Sequence, residues 1–129
     1  YGGNPVCCRA GLAVLEVFEE EKLLEKAQTL GQKLRQHFDA MQKRLQIIGD
    51  VRGVGPMLAL ELVRDRVTKE PAGDEAKALV RFCYERGLVI LSCGNFGNVI
   101  RTLMPLVITD EQLERGLTIM EEGLTALSK

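Results

Sequence analysis

The chain of 129 residues has one histidine, His37, and four cysteines, Cys7, Cys8, Cys83 and Cys93, none spaced as a CxxC knuckle. Zinc would lack ligands here, and no metal site is expected. A serine or cysteine triad needs a histidine beside its nucleophile. His37 falls on a helical stretch with no nucleophile near it and is expected to be a bystander. The vicinal and scattered thiols suggest reduced, intracellular cysteine used as small apolar filler, and a cytoplasmic protein is expected. No apolar run approaches a membrane span, and no basic-then-apolar leader opens the chain. No initiating methionine does either, so the chain is expected to begin inside a longer protein. The net charge of −1 comes from interspersed acids and bases, which excludes nucleic acid and acidic membranes as expected partners. No Walker loop or GxGxxG fingerprint follows a strand. The glycine-bearing turns at 53–55 and 94–97 are ordinary turn chemistry.

What is present is one well-patterned domain. Apolar content of 46% rules out wholesale disorder. Asn4-Pro5 sets a helix start, and the helix to about Phe18 is small or apolar nearly all round, as a seam to another body would be. After Glu19-Glu20-Glu21, a long helix carries Leu23, Ala27, Leu30, Leu34, Phe38, Met41 and Leu45 at three- and four-residue steps, with Gly49 closing the unit. Residues 51–55 and 57–63 suggest two strands joined by a glycine bend, and 64–73 a charged, solvent-exposed loop. Asp74 is expected to cap a third helix running to Arg86, which Gly87 ends. Residues 88–91 and 98–101 are predicted strands on either side of a glycine-rich turn. Thr109 with Gln112 forms a capping box for a last helix, striped by Leu113, Leu117, Met120, Leu124 and Leu127. The order predicts an α+β fold with a small, largely antiparallel sheet covered by helices.

One residue stands out for its chemistry. Arg101 ends a Val-Ile strand directly after the glycine-rich turn Ser92–Gly97 and ahead of Met104-Pro105-Leu106. A guanidinium backed by apolar neighbours can grip a carboxylate through two parallel hydrogen bonds. An isolated arginine is as readily a solvated or salt-bridged surface residue. The residues alone therefore define a ligand-contacting α+β domain.

Three stretches carry a resemblance across the whole chain. Tyr1-Gly2-Gly3-Asn4-Pro5, Gly49-Asp50-Val51-Arg52-Gly53-Val54-Gly55 and Gly97-Asn98-Val99-Ile100-Arg101 before Pro105-Leu106 resemble the C-terminal part of class III aminotransferases. The turn Leu91-Ser92-Cys93-Gly94 with the strand that follows is most similar to the 4-aminobutyrate enzymes. The resemblance implies pyridoxal 5'-phosphate as cofactor, the small domain of the type I transferase fold, and a homodimer. It implies amino transfer from 4-aminobutyrate to 2-oxoglutarate, with other class III donors (ornithine, acetylornithine, other ω-amino acids) as alternatives. A non-catalytic small-acid-binding module stays open as well. Residues 1–19 would be a connecting helix from a large domain and 20–129 the small domain. The position of Arg101 implies binding of the substrate carboxylate, and that of Tyr1 and Gly2 implies a place near the cofactor phosphate of the neighbouring subunit. Arg52 is a candidate second anion contact, or else a brace for the sheet edge. The cofactor's lysine and the acid for its pyridine nitrogen fall upstream in the family. No catalytic residue is therefore expected in this chain, which should be inactive alone.

Overall fold

A computed structural model describes residues 2–128 of the chain. Helix α1, Pro5–Glu20, starts where Asn4 Oδ1 accepts from the amides of Val6 (2.9 Å) and Cys7 (3.3 Å), with Pro5 in the first turn where its missing N–H costs nothing. It buries none of its own residues. Val6, Leu12, Val14 and Leu15 are all more than half exposed. Cys7 and Cys8 are exposed too, so the filler role expected of the cysteines holds for buried Cys83 and not for this pair.

Lys22, in the left-handed region, turns the chain into α2, Leu23–Arg44. Its stripe behaves as the spacing predicts: Leu30, Leu34, Phe38 and Met41 are buried. Strands β1 (Ile48–Val54) and β2 (Met57–Leu62) form an antiparallel hairpin whose tight turn is made by Gly55, at φ +54, and Pro56. Gly49 does not close the helical unit as expected. It sits inside β1 at a bulge between Ile48 and Asp50, because Ile48 already pairs with Leu62.

Helix α3, Gly73–Tyr84, begins at Ala72 without a side-chain cap. Asp74 lies one residue inside the first turn, so the expected cap is corrected to an acidic residue favouring the helix N-terminus. It stops short of Arg86: Gly87 takes φ +80, and the Leu88 amide returns to the Cys83 carbonyl at 2.9 Å. Strand β3 is Leu91–Cys93 rather than 88–91, since only these residues find ladder partners on β4, Val99–Arg101. Helix α4, Asp110–Leu127, opens on the expected capping box, with Thr109 and Gln112 bonded reciprocally at 3.1 and 3.2 Å.

The sheet runs β1-β2-β4-β3 and every pair in it is antiparallel. Alternation along the strands splits its two faces. Val51, Leu58, Leu60, Leu62 and Ile100 enter the core beneath the helices. Asp50, Arg52, Ala59, Glu61, Leu91 and Arg101 lie on the other face. Helix α2 lies across β1 and β2, α3 meets β2, β3 and β4, and α4 packs on α3. The fold is α+β, as the element order implies.

The loop between β2 and α3 is tied down rather than free. Val63 bridges Pro71, and Arg64 pairs with Glu70 and Glu75 at 3.0 and 2.8 Å. Arg66 donates to the carbonyls of Gln42, Leu45, Gln46 and Ile48, tying the loop to the end of α2 and the start of β1.

Candidate carboxylate site

Strand β4 is short, yet it is fixed at both ends by buried polar side chains. Before it, Asn98 is 2% exposed, and its Nδ2 donates to the Leu62 carbonyl at 2.8 Å. The Leu62 amide returns to the Asn98 carbonyl, also at 2.8 Å. After it, the Thr102 amide donates to the Leu58 carbonyl (2.8 Å), while the Leu58 amide donates to Thr102 Oγ1 (3.1 Å). The hydroxyl thus stands where a continuing strand would offer its own carbonyl, and it donates onward to the Pro56 carbonyl at 2.8 Å. Sequence reasoning gave neither side chain an anchoring role, although Asn98-x-x-x-Thr102 brackets the strand at even spacing and so shares the inward face with Ile100.

Arg101 is held between these anchors, opposite Ala59 on one side and Leu91 on the other. Ile100 before it is fully buried, and Arg101 itself is exposed on the opposite face. It makes no hydrogen bond and no ion pair among the described residues. Arg115 shares this state, whereas Arg9, Arg35, Arg44, Arg52, Arg64 and Arg81 all engage acids. Arg101 also borders a cavity of about 420 Å³ otherwise lined largely by apolar side chains, among them Leu88, Ile90, Met104, Leu113 and Leu117. A guanidinium at fixed height, engaged by no acid among the described residues, can take a carboxylate in two parallel bonds.

Other expected positions divide clearly. Arg52 lies on the same face as Arg101 but is spoken for, its Nη1 donating to Asp50 (2.8 Å) and Glu61 (2.6 Å). Those two acids hold its pKa above the ordinary arginine value, so it braces the sheet. The 94–97 turn closes on itself through Gly97 N–H to the Gly94 carbonyl, 3.1 Å, as plain turn chemistry requires. His37 Nε2 lies 3.2 Å from Glu121 in the helical layer, away from Arg101's face of the sheet. Gly2 is exposed in the turn ahead of α1, and Tyr1 falls outside the described residues. Among the described residues no group of three or more His, Cys, Asp or Glu side chains could hold a metal ion. No helix there is long and apolar enough to cross a membrane.

The class-III aminotransferase family model matches residues 1–124. The 5-aminovalerate aminotransferase of Pseudomonas aeruginosa is 49% identical over 99% of this chain and 30% of its own length. The 4-aminobutyrate aminotransferase of Escherichia coli is 45% identical over 95% of this chain and 29% of its own. A Bacillus anthracis aminotransferase superposes with a TM-score of 0.87 at 30% identity, over 96% of this chain and 29% of that one. The chain belongs to the class-III aminotransferases, enzymes that use pyridoxal phosphate. It spans about 30% of the length of the relatives it matches.

The cofactor's lysine needs a desolvated setting to lower its pKa. Lys22, Lys26, Lys33, Lys43, Lys69 and Lys77 are all exposed, so the described residues do not fit that role.

Proposed function

We propose that this chain is the part of a pyridoxal-phosphate-dependent ω-aminotransferase that clamps the substrate carboxylate. Arg101 binds the α-carboxylate of 2-oxoglutarate and glutamate, and 4-aminobutyrate is the donor. The observation carrying this reading is that Arg101, on a strand locked at both ends, is the arginine of its sheet face that no acid engages among the described residues. A planar fork held in that way orients a carboxylate at little further entropic cost. Lysine could not reproduce the two-point contact. The relative acting on 5-aminovalerate, one methylene longer than 4-aminobutyrate, keeps that compound as the second candidate donor.

In this reading residues 1–19 connect to a large domain that brings the cofactor's lysine, and 20–129 form the small domain. The unburied apolar side chains of α1 support it, since a helix of that composition needs cover. Gly2, with Tyr1, would lie near the cofactor phosphate of a second subunit in a homodimer, where glycine permits close backbone approach. Unpaired cysteines suit a cytoplasmic enzyme. Arg101→Ala in the full-length enzyme tests the clamp. The expected result is a KM for 2-oxoglutarate raised about a hundredfold, as losing a charge-assisted bidentate contact implies. An unchanged KM with reduced thermal stability would make Arg101 a scaffold residue.

A further inference from the structure

The register of the sheet sets out two rows of side chains on the face turned away from the helices. Read across β1, β2 and β4, one row is Asp50, Glu61 and Val99, and the next is Arg52, Ala59 and Arg101. Cross-strand partners share a face, as do residues two apart on one strand. Glu61 therefore stands diagonally between the two arginines, one strand and one row from each. Diagonal neighbours lie about 7–8 Å apart, within reach of long side chains. Arg52 demonstrates the reach: its Nη1 lies 2.6 Å from Glu61 Oε2 and 2.8 Å from Asp50 Oδ2. Arg101 views the same carboxylate across the opposite diagonal and does not pair with it. Ala59, between the arginines, has no group to offer either one.

We propose that Arg52 is a positioning residue for the carboxylate clamp: by engaging Glu61 it keeps that acid off Arg101 and leaves the guanidinium open to substrate. The inference rests on the clamp reading of Arg101. A carboxylate tethered one strand away competes at high effective concentration with any soluble acid. An internal Glu61–Arg101 pair would thus act as a built-in competitive inhibitor. Arg52 also neutralises Asp50, which pairs directly with Glu61 across β1 and β2 and would otherwise repel it towards β4.

The test uses the full-length cofactor-loaded enzyme. Arg52→Gln is expected to raise KM for 2-oxoglutarate about fivefold, the effect of an exposed ion pair competing for the guanidinium, with kcat at saturating keto acid little changed. Adding Glu61→Gln returns KM to the parent value. Arg52→Lys, which disturbs folding less and holds Glu61 at one point, gives an intermediate KM. A crystal structure of the Arg52→Gln variant places Glu61 within about 4 Å of Arg101. Parent KM values in both Arg52 variants, beside a raised KM in Arg101→Ala, overturn this inference and leave the clamp standing. So does a raised KM that Glu61→Gln fails to rescue. An unchanged KM in Arg101→Ala overturns the clamp itself, and this inference with it.

Discussion

Gly31 of α2 and Gly55 of the β1–β2 turn meet backbone to backbone: a β-carbon on Gly31 would fall 2.5 Å from Gly55 Cα and from its carbonyl oxygen. The contact draws the helix down onto the hairpin whose second strand flanks Arg101.

An alanine at a mid-helix glycine ordinarily stabilises by about 1 kcal/mol. At Gly31 the obstacle is main chain, which cannot rotate away, so overpacking reverses the sign. Gly31→Ala is expected to destabilise by about 1–3 kcal/mol, read from the urea midpoint. A midpoint that rises would show that the helix and hairpin are not in contact.

The Thr102 hydroxyl replaces a strand carbonyl. Thr102→Val keeps the shape and leaves the Leu58 amide and the Pro56 carbonyl without their partner. The expected loss is about 1–3 kcal/mol, the penalty for stranding a buried polar group. Thr102→Ser keeps the hydroxyl and should recover most of the denaturation midpoint. If serine were as damaging as valine, packing of the methyl rather than the hydrogen bonds would hold the strand end.

The cysteines separate by environment. Burial pushes the Cys83 thiol up to about 11, while Cys7 and Cys8 are exposed on α1. In the isolated chain at pH 8, a thiol reagent should modify Cys7 and Cys8 first and reach Cys83 only on unfolding. Mass spectrometry of the labelled peptides reads the order directly, and early labelling of Cys83 would contradict the core described here.

Acid should weaken the loop between β2 and α3. The hydrogen bonds from Arg64 hold the Glu75 carboxyl below its ordinary value of 4.5, and the Thr68 and Val67 amides hold Asp65 below 3.8. Both folded-state values are depressed, so the stability they bring is complete above the unfolded values and drains away as pH falls through the folded ones. Arg64→Gln relaxes Glu75 upward. Its melting temperature should lie below the parent's near neutrality, and the gap should narrow as pH falls below 4.5 and through the depressed folded-state value of Glu75. A constant gap across that range would mean that Arg64 acts by packing alone.

Much of the fold was legible because its signals are local. The stripe of α2 from Leu30 to Met41, the Asn4-Pro5 start and the Thr109–Gln112 box each depend on neighbours within a turn or two. What was missed depends on pairing across the sheet. Residues 88–91 form a continuous apolar run with no alternation to set a register. The strand begins at Leu91 because Arg101 is its partner there. Arg66 suggested part of a solvated charged loop, since nothing local announces that four carbonyls near the end of α2 await it. The site shows the same division. Arg101 was visible as an arginine at a strand end. Its open guanidinium, the Asn98 and Thr102 anchors and the capture of Glu61 by Arg52 appear only once β1, β2 and β4 are in register.

The most direct test of the account is a crystal structure of the full-length enzyme with a bound dicarboxylate such as glutarate. The account expects one carboxylate on Arg101, through two parallel N–H···O bonds of about 2.7–2.9 Å. A glutarate bound in the active site with Arg101 turned away, neither oxygen within about 4 Å of its guanidinium, would contradict it.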